Sequence, residues 1–138
     1  MNSVYGSDMR GTRHGSVAIE YALLVPALLL FVLGIMDTGR LLWTYATLNR
    51  AVEAAARCGT VNTVSCASAG QIKTYAAGQA YGLSVPSSAF TVTTPACGVS
   101  VTATYTFRSV IPWLHPAAPF GQTNTITLNA AACYPKAP

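Results

Sequence analysis

From Val17 to Met36 the chain runs through twenty almost uninterrupted apolar positions, with Glu20 as the one charge and Pro26 and Gly34 as the helix breakers. At 1.5 Å per residue, such a stretch as a helix spans the roughly 30 Å of a bilayer's hydrocarbon core. A transmembrane helix is therefore predicted here. Beyond Met36 the pattern changes. Leu41, Leu42, Tyr45, Leu48, Val52 and Ala55 recur at three- and four-residue spacing, while Thr44, Thr47, Arg50, Glu53 and Arg57 take other positions. That periodicity predicts a continued helix with one apolar side, on which Glu53 and Arg57 form a favourable i,i+4 pair. Unbroken from Val17 to Arg57, the helix would be roughly 60 Å long. Pro26, Gly34 and Gly39 are the places where it would kink.

The distal part reads differently. Ile72, Tyr75, Ala76, Gln79, Ala80 and Leu83 predict a second, short helix with one apolar side. Phe90 to Thr94 reads as a strand. Val99, Val101, Ala103, Tyr105 and Phe107 then alternate with Ser100, Thr102, Thr104, Thr106 and Arg108, which is the clearest strand signal in the chain. Alternation returns over Thr123 to Ala132, with Ile126, Leu128, Ala130 and Ala132 on one side. The expected fold class is α+β: a long N-terminal transmembrane and amphipathic helix, one short helix, and a roughly three-stranded antiparallel sheet packed on the long helix. Between the last two strands, Ser109 to Gln122 holds Pro112, Trp113, Leu114, His115, Pro116, Pro119 and Phe120. This connection reads either as a partner-contact loop or as one that folds back on the sheet edge or the membrane.

Composition sharpens the membrane reading. Of 138 residues, 51% are hydrophobic and only 8 are Lys or Arg and 4 Asp or Glu, far below the roughly one-quarter charged of a soluble domain. The basic residues are scattered without aromatic interleaving, so nucleic acid is not an expected partner. Residues 1–15 are short and polar, with Arg10, Arg13 and His14 near the apolar run, and this flank predicts a cytoplasmic N-terminus. An ordinary secretory signal has an apolar region of about 7–15 residues and a small-residue cleavage site. This one is longer and continues into Asp37, Thr38, Gly39 and Arg40, so it is expected to stay in the membrane.

All four cysteines, Cys58, Cys66, Cys97 and Cys133, follow the apolar run. Even number and one-sided placement point to disulfides in an oxidising compartment. Three pairings are open; order along the chain favours Cys58 with Cys66 and Cys97 with Cys133. No C-x-x-C spacing suggests zinc, and neither a metal nor another cofactor is expected. Apart from Glu20, the acids after the leader are Asp37 and Glu53, and the histidine there is His115. A triad or a two-carboxylate site would need an acid of the long helix to reach the distal domain, so an enzyme is not expected. Pro26 and Asp37 each admit two readings, a tolerated kink and an interfacial acid on one side, a functional role on the other.

Glu20 needs a reason, because a carboxylate near the start of a membrane helix costs a few kcal/mol unless hydrated, protonated or paired. Its surroundings supply one. The string Gly15-Ser16-Val17-Ala18-Ile19-Glu20-Tyr21 behind a basic leader resembles the prepilin-type signal, in which cleavage follows a glycine and glutamate is the fifth residue of the mature chain. The Glu20-Tyr21 pair, Ala22 to Pro26, Gly34 to Arg40 with its Asp37, Gly39 and Arg40, and Ala54 to Arg57 together resemble the TadE-like minor pilins of tight-adherence (Tad/Flp) pili, a branch of the type IV pilin superfamily. The resemblance implies cleavage by prepilin peptidase between Gly15 and Ser16. It implies a leader at 1–15, a long helix at 16–57 and a small extracytoplasmic domain at 58–138. It further implies residence in a bacterial inner membrane with the distal domain periplasmic, other pilins or pseudopilins and the inner-membrane assembly platform as partners, membrane lipid around the helix, and a role in surface attachment. The new Ser16 amine of one subunit would then pair with Glu20 of a neighbour. The alternative is an uncleaved, single-pass anchor carrying an extracytoplasmic binding or adhesion module.

Overall fold

The computed structural model describes residues 13–62, 64–110 and 124–136, with side chains from Val17 onward. The leader residues 1–12 and most of the Pro- and Trp-rich connection, including Trp113, His115 and Phe120, lie outside the described residues. The chain divides into two compact units, Met1–Met36 and Asp37–Pro138. Helix α1, Arg13–Val61, contributes to both.

In the first unit α1 passes through Pro26 without interruption, although proline leaves one carbonyl of the preceding turn without its in-helix donor. Every described side chain here is exposed except at Gly34, which is half-buried. Among the described residues, α1 is long and apolar enough to cross a membrane.

The second unit comprises the distal part of α1, helix α2 (Ala69–Gln79), a single 3-10 turn at Ser87–Ala89, and strands β1 (Phe90–Thr93), β2 (Val99–Arg108) and β3 (Thr125–Tyr134). The strands form one antiparallel sheet in the order β1-β2-β3. Register places Phe90, Ala103 and Ala130 side by side, and likewise Val92, Val101 and Ala132, so one face collects the apolar residues of all three strands. The opposite face carries Thr91, Thr102, Thr104, Thr106, Thr127 and Asn129, with Thr104 donating to the Asn129 side chain at 3.1 Å.

The apolar face meets α1 and α2 in one core containing Leu48, Val52, Ala55, Ile72, Ala76, Phe90 and Val101. Gly59 is a point of close approach in that contact. A Cβ there would stand 2.9 Å from Ile72 Cδ1 and 3.0 Å from Val99 Cγ1, closer than carbon atoms pack, so α1, α2 and β2 converge on a residue without a side chain.

The buried stripe of α1 differs from the one expected. Thr44 and Thr47 are buried, together with Ala51 and Ala56, while Leu42 and Tyr45 face outward. The sheet already supplies the bulk, with Phe90, Val101 and Phe107, and small residues let the helix approach it closely. The Glu53–Arg57 ion pair does not form; both side chains are exposed, where such a pair contributes little.

Local chemistry fixes the ends of the elements. The last turn of α1 extends to Val61, past Cys58, which is joined to Cys66. Within this loop the Asn62 side chain accepts from the backbone N–H groups of Val64 and Ser65 at 3.1 and 2.9 Å. Helix α2 opens with a capping box: Gln71 N–H donates to Ser68 Oγ at 3.3 Å, and Ser68 N–H to Gln71 Oε1 at 3.2 Å. Cys97 is joined to Cys133, tying the turn before β2 to β3. Gly98 follows with φ of 123°, and a Cβ there would stand 2.1 Å from the Tyr134 carbonyl oxygen; only glycine fits.

Candidate functional site

The resemblance singles out two groups of residues on α1. Gly15 and Ser16 lie within its first turns, followed by Glu20 and Tyr21, both exposed. Glu20 forms no ion pair or hydrogen bond among the described residues. A carboxylate on an apolar helix with no partner among the described residues is costly to place in a membrane unless it is hydrated, protonated or paired.

The second group is Asp37, Gly39 and Arg40, at the start of the second unit. Here Asp37 is buried, with 5% of its surface exposed, rather than resting at an interface. Its carboxylate accepts a hydrogen bond from the Ser109 hydroxyl. The backbone N–H of Val110 points at both carboxylate oxygens, at 3.3 and 3.2 Å. Arg40 Nη1 lies 3.6 Å from Asp37 Oδ1, and its guanidinium stands 5.6 Å from the centroid of the Phe107 ring. One turn of α1 thus grips the end of β2 twice, by charge-assisted hydrogen bonds through Asp37 and by a cation–π contact through Arg40.

The position of this clamp matters. Ser109 also donates its N–H to the Asn124 carbonyl at 2.8 Å, which holds together the two ends of the β2–β3 connection. Asp37 and Ser109 therefore fix that connection's root against α1 within the second unit. Gly39, between the clamp residues, has nothing within 4 Å of where a Cβ would stand, so packing among the described residues does not require its lack of a side chain.

The structure brings Asp37 and Arg40 together with each other, while Glu20 and Tyr21 belong to the first unit. Ser109, Val110 and Phe107 are the members that sequence reasoning missed. The available signal was weak: a lone acid one turn from an arginine on a helix, and a serine at a strand end. The four cysteines close two separate loops in the pairing favoured by their order along the chain.

Residues 15–57 match the family model described as TadE-like protein. The match begins at the glycine of the proposed cleavage site, contains Glu20, Tyr21, Asp37, Gly39 and Arg40, and stops one residue before the first cysteine. No curated protein and no solved structure matches the chain.

Proposed function

From the premise that the chain is TadE-like over residues 15–57, we propose that it is a minor pilin or pseudopilin that takes part in assembling a tight-adherence pilus, with a structural rather than catalytic job. The observation that carries this reading is the first unit. Its apolar helix presents Leu23, Leu24, Leu28, Phe31 and Met36 outward, each more than 60% exposed, together with an unpartnered Glu20. A helix that is apolar all round needs lipid or other helices. The carboxylate needs a cation, and cleavage after Gly15 would create one, the Ser16 amine, on a neighbouring subunit.

In this reading residues 17–36 cross the inner membrane with the N-terminus cytoplasmic, and the unit from Asp37 onward lies outside, where Cys58–Cys66 and Cys97–Cys133 are formed and kept. Prepilin peptidase removes residues 1–15. Other pilins and the inner-membrane platform receive the mature chain. Two disulfides in a distal unit of about a hundred residues, far more than a filament-core helix needs, favour a minor subunit over the main one.

The test is the N-terminus of the membrane-extracted chain, read by intact mass and terminal sequencing in cells with and without the peptidase. A chain starting at Ser16 only when the peptidase is present is the expected result; Met1 in both defeats the proposal and favours the anchored binding module. A second measurement bears on Glu20. Glu20→Gln should insert into the membrane normally yet co-purify with other pilins several-fold less than the unaltered chain.

A further inference from the structure

A groove in the second unit takes no part in the clamp. It lies between α1 and the end of α2, has a volume of about 340 Å³, and counts Trp43 and Tyr81 among its lining residues. That volume is at the small end of the roughly 300–1,000 Å³ of small-molecule sites. Ala46 and Ala54 line it with small apolar groups, and Thr47, Arg50 and Gln79 with polar ones.

Three features leave these groups open among the described residues. No fully buried polar side-chain atom among the described residues lacks a partner, so the Thr47 hydroxyl, which makes no hydrogen bond there, is open to solvent, unlike that of Thr44, which bonds the Arg40 carbonyl one turn back at 2.8 Å. Arg50 has no acidic partner although Glu53 is three residues away. Trp43 and Tyr81 are 65% and 68% exposed, so both rings are open to a ligand.

The combination selects among ligand classes. An acyl chain would match the rings but leave the hydroxyl, the guanidinium and the amide facing apolar atoms, which is costly. An extended peptide would seek main-chain partners, and the middle of α1 offers none because its N–H and C=O groups are paired within the helix. A pyranose ring has an apolar C–H face for an aromatic wall and a rim of hydroxyls for Thr47 and Gln79. A carboxylate on that ring would give Arg50 the planar, two-oxygen partner that a guanidinium binds best. Charge agrees: residues 37–138 hold six Lys or Arg (Arg40, Arg50, Arg57, Lys73, Arg108, Lys136) against two acids (Asp37, Glu53).

We propose that the groove of Trp43, Thr47, Arg50, Gln79 and Tyr81 binds an acidic sugar unit of a surface polysaccharide. The inference is independent of leader cleavage and of any filament, because the groove is complete within one chain. It gives the second unit a ligand of its own.

The experiment uses the full chain in detergent micelles, labelled with nitrogen-15, titrated with tetragalacturonic acid. The chain has two tryptophans, Trp43 and Trp113, and Trp43→Phe assigns their indole signals. The expected result is a saturating shift of the Trp43 indole signal with a Kd on the order of 1 mM or tighter. Arg50→Gln and the neutral sugar cellotetraose should each weaken binding at least about tenfold, with the variant's melting temperature unchanged. Absence of a saturating Trp43 shift overturns the proposal. So does equal binding by tetraglutamate or cellotetraose, an Arg50→Gln variant that binds as well as the unaltered chain, or quenching of the Trp43 signal by a detergent-embedded spin label, which would place the ring in the lipid interface instead.

Discussion

Helix α1 contains two halves with opposite logic. From Val17 to Met36 its large apolar side chains point outward on every side. From Asp37 to Val61 the residues it buries are largely small or polar, with Asp37, Thr44, Thr47, Ala51, Ala55 and Ala56 beside Leu48 and Val52. The difference shows that hydrophobicity alone does not say which face of a helix the chain itself will cover. In the distal half the sheet supplies the bulk and the helix supplies closeness. In the proximal half none of the described residues of the unit covers the large side chains, which is the pattern of a helix long and apolar enough to cross a membrane.

The sharpest way to break this comparison is to truncate one leucine in each half. Leu48 is completely buried and Leu29 is 56% exposed. Leu48→Ala should cost the distal unit about 2–5 kcal/mol, the usual range for emptying a buried leucine site. Leu29→Ala should leave that unit's unfolding unchanged. Thermal unfolding of the full chain in micelles, followed by near-ultraviolet circular dichroism, reads both. Equal losses would mean that the two halves do not differ as described.

The clamp should rank next. Asp37→Ala removes the acceptor of the Ser109 hydroxyl and the Val110 N–H and releases Arg40 from its ion pair. Leaving the buried Ser109 donor unsatisfied costs about 1–3 kcal/mol, and loss of the charge-assisted bonds brings the expected total to about 2–4 kcal/mol. Hydrogen exchange adds a readout that the leucine variants lack: the amides of Phe107 to Val110 should lose protection more than those of Val99 to Ala103. Uniform loss along β2 would make Asp37 a general core residue rather than a clamp on one strand end.

How much of this was legible in the sequence follows from the range over which each signal acts. The strands, their order of alternation and α2 were readable because period-two and helical patterns are local; the capping box of Ser68 and Gln71 that opens α2 was not read from the sequence. The apolar run was equally plain. The orientation of distal α1 was misread because Leu42 and Tyr45 look like core and Thr44 and Thr47 look like surface; the bulk of Phe90 and Phe107, some fifty to sixty residues away in the chain, decides otherwise. Asp37 admitted two readings in the sequence, and its partner could not be read there, since Ser109 is 72 residues distant. The groove escaped notice because Trp43 and Tyr81 meet only after α2 has packed. Glu20 is the reverse case: its neighbours in sequence carried the reading, and the fold adds only that it is exposed and makes no ion pair or hydrogen bond among the described residues.

The smallest expected effect on stability falls at Gly39, and there stability and function should part. A glycine inside a helix costs roughly 0.5–1 kcal/mol relative to alanine through backbone entropy. Nothing lies within 4 Å of a Cβ at this position, so Gly39→Ala should raise the stability of the distal unit by up to about 1 kcal/mol. The described residues therefore give no packing reason for a glycine beside Asp37 and Arg40. If its bare backbone is a seat for a neighbouring subunit, the same substitution should reduce co-purification with other pilins while the melting temperature rises. A rise in melting temperature with co-purification intact would assign the close-packed role to Gly59 alone, and would leave Gly39 as an exposed helix position without a task in assembly.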